Sequence, residues 1–141
     1  MSWLLDTCAL SEKLQKRPDK DFVKWLEAQE IDDLYISVIS AGEIQKGIEL
    51  LPKSAKKRQL DQWFLGELLP FFDGRTIGIG HEEAIEWGTA FARCQLNGYK
   101  PPVIDSLLAA TALTNGLTLV TRNEKDFRPF GVEVLNPWKA V

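Results

Sequence analysis

Histidine is almost missing from this sequence: His81 is the single one. A ribonuclease mechanism that passes a proton between two histidines is therefore excluded within one chain. His81 precedes Glu82, Glu83 and Ala84 at an expected helix start, where a capping or surface role is the ordinary reading. Cysteine is nearly as scarce. Cys8 and Cys94 lie far apart with no paired metal-ligand spacing, and without an export signal such thiols are expected to stay reduced. No apolar run approaches the roughly 20 residues of a membrane span. The opening Met1-Ser2-Trp3-Leu4-Leu5-Asp6 has no basic region and meets an acid too early for a signal peptide, so a cytoplasmic location is the expectation. There is no phosphate-binding glycine loop, no dinucleotide motif and no nucleophile elbow, and Ser106 beside Asp105 has no histidine partner. Net charge is only −3, which argues against a protein that coats nucleic acid non-specifically.

What is present fits one domain over residues 1–141, long enough to bury a core without disulfides or structural metal. Strands are expected over Trp3–Leu5, Leu34–Ile36, Thr76–Ile79, Leu117–Val120 and Val132–Leu135. Helices are expected over Asp19–Gln29, Ala41–Leu51, Ala55–Phe72, Glu82–Leu96 and Ser106–Asn115. The strands are short and do not strictly alternate, as in a sheet buried on both faces. The βα alternation implies an α/β fold, a mostly parallel central sheet flanked by helices. Ser40-Ala41-Gly42-Glu43 reads as a capping box, Gly116 as a left-handed C-terminal cap, and Pro101-Pro102 as a stop before the Asp105 helix.

In such a sheet ligands bind beyond the carboxyl ends of the strands. The informative acids fall there. Asp6 ends the first strand, Glu43 follows the second, Asp105 opens a helix, and Asn123, Glu124 and Asp126 follow the Leu117–Val120 strand. Each has a plain reading. Glu43 serves its capping box, Asp105 caps a helix, and Asp126 pairs with Asn123 at another. Asp6 is hardest to dismiss, because a charge directly after a buried strand is costly unless wet or paired. If the acids meet, two carboxylates about 4 Å apart repel by roughly 4 kcal/mol at an effective dielectric near 20. Protons or a cation must relieve that, and all-oxygen donors suit Mg²⁺ or Mn²⁺. Such a site activates water and stabilises charge on a phosphodiester without a side-chain nucleophile.

Two basic runs stand out. Lys53, Lys56, Lys57 and Arg58 read first as a solvated helix face. Arg122, Lys125 and Arg128 lie beside the acids, so Arg122 and Lys125 are candidates for RNA phosphate contact. Trp63 and Phe64, then Trp87 and Phe91, put aromatics at helical spacing; core packing is the commoner reading and a homodimer interface the alternative.

Four ordered segments also resemble a known family. Leu4-Leu5-Asp6-Thr7-Cys8-Ala9-Leu10-Ser11-Glu12 is similar to the opening motif of bacterial VapC-type PIN-domain toxins. Ile39-Ser40-Ala41-Gly42-Glu43-Ile44, with Gly47-Ile48, resembles their second motif, and Ile104-Asp105-Ser106-Leu107-Leu108-Ala109-Ala110-Thr111-Ala112 their third. Thr118 to Phe127 and Leu135-Asn136-Pro137-Trp138 resemble their closing section. The resemblance implies a Mg²⁺-dependent endoribonuclease, the toxin of a type II toxin–antitoxin pair, a homodimer with a three-layer PIN-like fold. Its partners would be RNA and a cognate antitoxin. By motif, Asp6 and Asp105 become the principal metal ligands, Glu43 completes the triad and Asp126 is the favoured fourth acid. Glu43, Asn123 and Thr7 are candidates for positioning metal or water. Relatives often carry Asp at the place of Asn123 and Asn at the place of Cys8. Two other readings stay open: a catalytically weak PIN-fold binding module acting with a DNA-binding partner, and a phosphatase or flap-type DNA nuclease using the same metal logic.

Overall fold

The structure, a computed structural model, describes residues 1–139; the last two positions of the expected domain lie outside the described residues. Its strands are β1 (Trp3–Leu5), β2 (Leu34–Ser37), β3 (Thr76–Ile77), β4 (Thr118–Val120) and β5 (Val134–Leu135). They form one sheet in the order β3-β2-β1-β4-β5. Every pairing is parallel, with Leu4 opposite Tyr35 on one side and Leu119 on the other. This is the three-layer α/β fold expected from the βα alternation.

Adjacent strand residues serve opposite faces. Leu5 and Val120 join one apolar cluster with Phe22, Ile36, Ile44, Ile48, Phe64 and Phe72. Leu4 and Leu119 join another with Leu108, Ala109, Ala112, Phe127 and Phe130. The first cluster draws on α2 (Lys20–Glu27), α3 (Val38–Glu49) and α4 (Ala55–Trp63). The second draws on α6 (His81–Leu96), α7 (Val103–Thr114) and α8 (Glu124–Phe127). The central strands β1 and β4 are covered on both faces and so have no solvent side to alternate toward, which explains the lack of strict alternation.

Several boundaries differ from expectation for identifiable reasons. A short helix, α1 (Thr7–Ser11), starts immediately after β1 because Asp6 caps it: Oδ1 accepts from the Ala9 amide at 2.8 Å. Helix α3 starts at Val38 rather than Ala41. Ser37 is its cap, accepting from the Ile39 amide at 3.0 Å, so Ser40 is a fully buried helix residue and the expected capping box does not form. The long helix expected over 55–72 is interrupted by a π turn, Phe64–Leu68, before α5 (Leu69–Phe71). Pro70 supplies no amide hydrogen, and the wider turn accommodates the lost donor. Helix α6 begins at His81, where the Glu83 carboxylate accepts from the Gly80 amide at 2.9 Å; exposed His81 caps nothing. Helix α7 begins at Val103, directly after Pro102.

Gly116 does close α7 in the left-handed region, at φ +64°. The Leu117 amide donates to Ala112 O at 2.9 Å and the Gly116 amide to Leu113 O at 3.4 Å, a Schellman arrangement. A Cβ at Gly116 would meet nothing within 4 Å, so its cost is purely backbone. Gly116→Ala is therefore expected to lose about 1 kcal/mol, seen as a fall of roughly 2–4 °C in thermal midpoint.

Candidate active site

Strand order reverses around β1: the chain leaves it for β2 on one side and returns as β4 on the other. That switch point opens a crevice at the carboxyl edge. Asp6 stands there. The Asp6 amide donates to Val120 O at 3.1 Å, continuing the β1–β4 pairing by one residue, and the side chain is only 4% exposed. A buried charge here is costly, and burial is the first cause that pushes the Asp6 carboxyl above the usual carboxylate range. The Thr121 hydroxyl and the Ala9 amide oppose the rise, while the negative charges of Glu43 and Asp105 add to it.

The other acids arrive from separate elements. Glu43 projects from the second turn of α3, where its Oε1 accepts from the Thr7 hydroxyl at 2.6 Å. This bond replaces the capping role read from sequence and ties the α1 start to α3. Asp105 sits in the first turn of α7; burial, then Asp126, then Glu43 raise its carboxyl pKa. Asp126 lies in α8, just after β4, and is exposed. Asn123 takes the residue before α8 without a side-chain capping bond, and its amide donates to Thr121 Oγ1 at 3.0 Å. Glu43 and Asp105 thus act on Asp6, and Asp126 and Glu43 act on Asp105.

Cys8 is exposed beside it. Desolvation, then the Asp6 charge, push its thiol up; Arg122 opposes them, and Glu43 and Asp105 add to them. Both cysteines are free thiols, as expected.

The basic candidates separate. Lys125 is exposed in a concavity of about 280 Å³ shared with Asn123 and Asp126. Arg122 is exposed but paired: its guanidinium donates to Glu12 Oε1 at 2.6 Å and lies 4.8 Å from the Trp138 ring centre. Sequence reasoning missed that partnership. Glu12 is a buried acid that also accepts from Trp138 Nε1 at 2.8 Å and from the Asp19 amide at 3.1 Å. Thr121 was also missed. Its place directly after β4 was a usable signal, since β4 pairs with the strand that delivers Asp6. Glu12 had no such signal, because its side-chain partners Arg122 and Trp138 come from positions more than a hundred residues later in the chain.

The donor set fits a hard divalent cation, being carboxylates whose mutual repulsion a 2+ charge relieves. Among the described residues no three His, Cys, Asp or Glu side chains stand close enough together to hold a metal ion. The raised carboxyls also set a pH dependence. A raised acid holds its proton more tightly folded than unfolded, so its stabilising contribution is complete below the unfolded value. It is lost as pH rises through the folded value. In EDTA, the stability advantage of Asp6→Asn over wild type is therefore expected to grow as pH climbs through the acidic range. A constant difference between the two midpoints would show that Asp6 carries no buried charge.

A sequence model described as PIN domain matches residues 3–131. This chain belongs to the PIN-domain family. Toxin FitB of Neisseria gonorrhoeae is 33% identical to this PIN chain over 135 residues, covering 96% of this chain and 97% of its relative. Plasmid stability protein StbB of Pseudomonas syringae pv. tomato is 32% identical over 137 residues, covering 97% and 99%. VapC ribonuclease Y4jK of Sinorhizobium fredii is 29% identical over 138 residues, covering 98% and 99%. Among solved structures, FitAB bound to an IR36 DNA fragment superposes with a TM-score of 0.93 at 31% identity, over 99% of this chain and 97% of that one. FitAcB from Neisseria gonorrhoeae gives 0.92 at 32% identity, over 97% and 99%. Among the described residues, no helix of this PIN domain is long and apolar enough to cross a membrane.

Proposed function

We propose that this chain is a Mg²⁺-dependent endoribonuclease acting as the toxin of a type II toxin–antitoxin pair. The observation that carries the reading is Asp6 at the sheet's switch point, its carboxyl raised by burial and by Glu43 and Asp105, with Asp105 raised in turn by burial, Asp126 and Glu43. Relatives named as a toxin and as a VapC ribonuclease support it.

Asp6 and Asp105 would hold the ion, Mg²⁺ or by donor type Mn²⁺. When bound, such an ion supplies charge neutralisation at the phosphodiester and a more acidic water. The Asp6 carboxylate is held by the Ala9 amide and the Thr121 hydroxyl, which fix its orientation toward the site. The Thr7 hydroxyl holds Glu43 Oε1 and leaves Oε2 to orient an attacking water. Asp126 adds charge next to Asp105, Asn123 offers a neutral amide beside it, and Lys125 faces the phosphate side of the same concavity.

For partners we propose a cognate antitoxin and a second copy of this chain. An apolar groove of about 450 Å³ between Leu10, Leu26, Trp63 and Phe71 offers an antitoxin segment a docking face. Ile85 at 70% exposure and Leu96 at 88% leave an uncovered apolar strip on α6 for a dimer. Trp87, for which a dimer interface was the alternative to core packing, is half-buried, and its indole donates to Ser106 Oγ at 2.8 Å within the subunit. Trp63 packs partly into the first apolar cluster. Sedimentation of the partner-free protein at high micromolar concentration should show a dimer, and a monomer would remove it.

The second reading is a PIN-fold binding module in a complex on DNA, favoured by the DNA-bound FitAB neighbour and by Cys8 and Asn123. RNA cleavage by the partner-free protein with and without Mg²⁺ separates the two. Mg²⁺-dependent cleavage supports the nuclease, and its absence leaves the binding module.

A further inference from the structure

Beyond Arg122 and Glu12 the surface opens into a cavity of about 750 Å³, faced by Lys16, Arg17, Lys56 and Arg122. Four cations meet there against one acid, in a chain whose overall charge is −3. The one acid is already committed. The Glu12 side chain is only 7% exposed and is satisfied by Arg122, Trp138 and the Asp19 amide. Among the described residues no ion pair engages Lys16, Arg17 or Lys56, and all three are exposed. The basic run at 53–58 therefore divides. Lys57 is spent on the carbonyls of Glu49 and Leu51, whereas Lys56 faces the cavity.

The cavity adjoins the acid cluster on two sides. Arg122 also lines the concavity that holds Asn123, Lys125 and Asp126. Leu14, the one apolar residue lining the basic cavity among those described, also lines the concavity that holds Thr7 and Glu43. A polyanion approaching four carboxylates is repelled unless cations beside them take its neighbouring phosphates. We infer that Lys16, Arg17 and Lys56 form a phosphate-binding subsite that holds the single-stranded RNA backbone next to the bond to be cut. This rests on the ribonuclease reading and names where its substrate lies. An acidic protein segment is the weaker occupant, because the nearly all-polar lining offers it little apolar burial, unlike the groove beside Trp63.

The test is binding of a fluorescein-labelled, mixed-sequence single-stranded RNA in EDTA, which removes cleavage from the readout. Anisotropy is followed across a salt series for wild type and the triple variant Lys16→Ala, Arg17→Ala, Lys56→Ala. Exposed side chains make the variant foldable, and its thermal midpoint checks that. The triple variant is expected to bind about tenfold or more weakly near physiological salt. The slope of log affinity against log salt should shrink by about 2, at roughly 0.7 per phosphate contact on a single strand. Cleavage of limiting RNA with Mg²⁺ should fall in parallel. Equal affinity and slope for variant and wild type would overturn the subsite and leave the nuclease intact. Wild type that binds RNA but cleaves none would end the nuclease reading while the slope still judges the subsite. Wild type that binds no RNA would sink both. Loss of polyglutamate binding in the triple variant with RNA binding unchanged would give the cavity to an acidic protein segment instead.

Discussion

Asp6→Asn is expected to reduce Mg²⁺-dependent RNA cleavage by about a hundredfold or more while leaving the fold intact. The side chain keeps its size and one acceptor oxygen but loses the charge that holds a hard cation. Folding survives because Asn is as good a helix cap as Asp, so the bond from the Ala9 amide that starts α1 can be kept. Stability should even rise. A buried carboxyl raised by desolvation and by Glu43 and Asp105 is a liability without its cation, and its removal should return about 1 kcal/mol, or roughly 2–4 °C. Asp105→Asn should lose cleavage likewise, with a smaller stability gain because that residue is only half-buried. Asp126→Asn should be milder, since Asn123 adjoins it. Cleavage rates and thermal midpoints of the three variants, taken at several Mg²⁺ concentrations, decide the matter. Normal cleavage by Asp6→Asn at low Mg²⁺ would mean the acidic site is not the engine.

Trp138→Ala carries the largest expected loss of stability. The ring stacks on Phe22 at 4.4 Å between centres and 14° between planes, and Arg122 lies across it. Its indole N–H is one of three donors to the buried Glu12. Truncation removes ring contact and donor together, and a loss of about 3 kcal/mol is expected, the low end for a large aromatic because the site is half-buried. The thermal midpoint should fall by roughly 6–12 °C. Trp138→Phe keeps a ring on Phe22 and gives up only the donor, so it should cost about 1 kcal/mol. An alanine variant within about 1 kcal/mol of wild type would show that this latch does not hold the chain together.

The layers and the acids were readable because each leaves a local mark. Trp3-Leu4-Leu5 is apolar without alternation, Leu117 to Val120 is broken only by Thr118, and Asp6 ends the first run. Chain order alone then sends Glu43, Asp105 and Asp126 to the same edge. What was illegible depends on who meets whom. Ser40 and Glu43 have the spacing of a capping box, but tertiary context gave the cap to Ser37 and sent Glu43 to Thr7. Nothing near Glu12 announces that it will be buried under Arg122 and Trp138. Arg122 looks like a free phosphate ligand because its sequence neighbours are basic, while its partner is 110 positions away. The break at Phe64–Leu68 was half-visible: Pro70 forbids a regular helix, but whether the chain kinks or widens into a π turn is set by packing around Phe64 and Leu68.

The four acids also have a consequence in time. They are gathered from β1, α3, α7 and α8, so the site is spread over positions 6 to 126 and crosses the whole sheet. A growing chain cannot assemble this acid cluster until β4 has slotted in beside β1 and α8 has followed it. An N-terminal fragment ending before β4 lacks the strand that continues its pairing to Asp6, so on the nuclease reading such fragments are expected to be inactive.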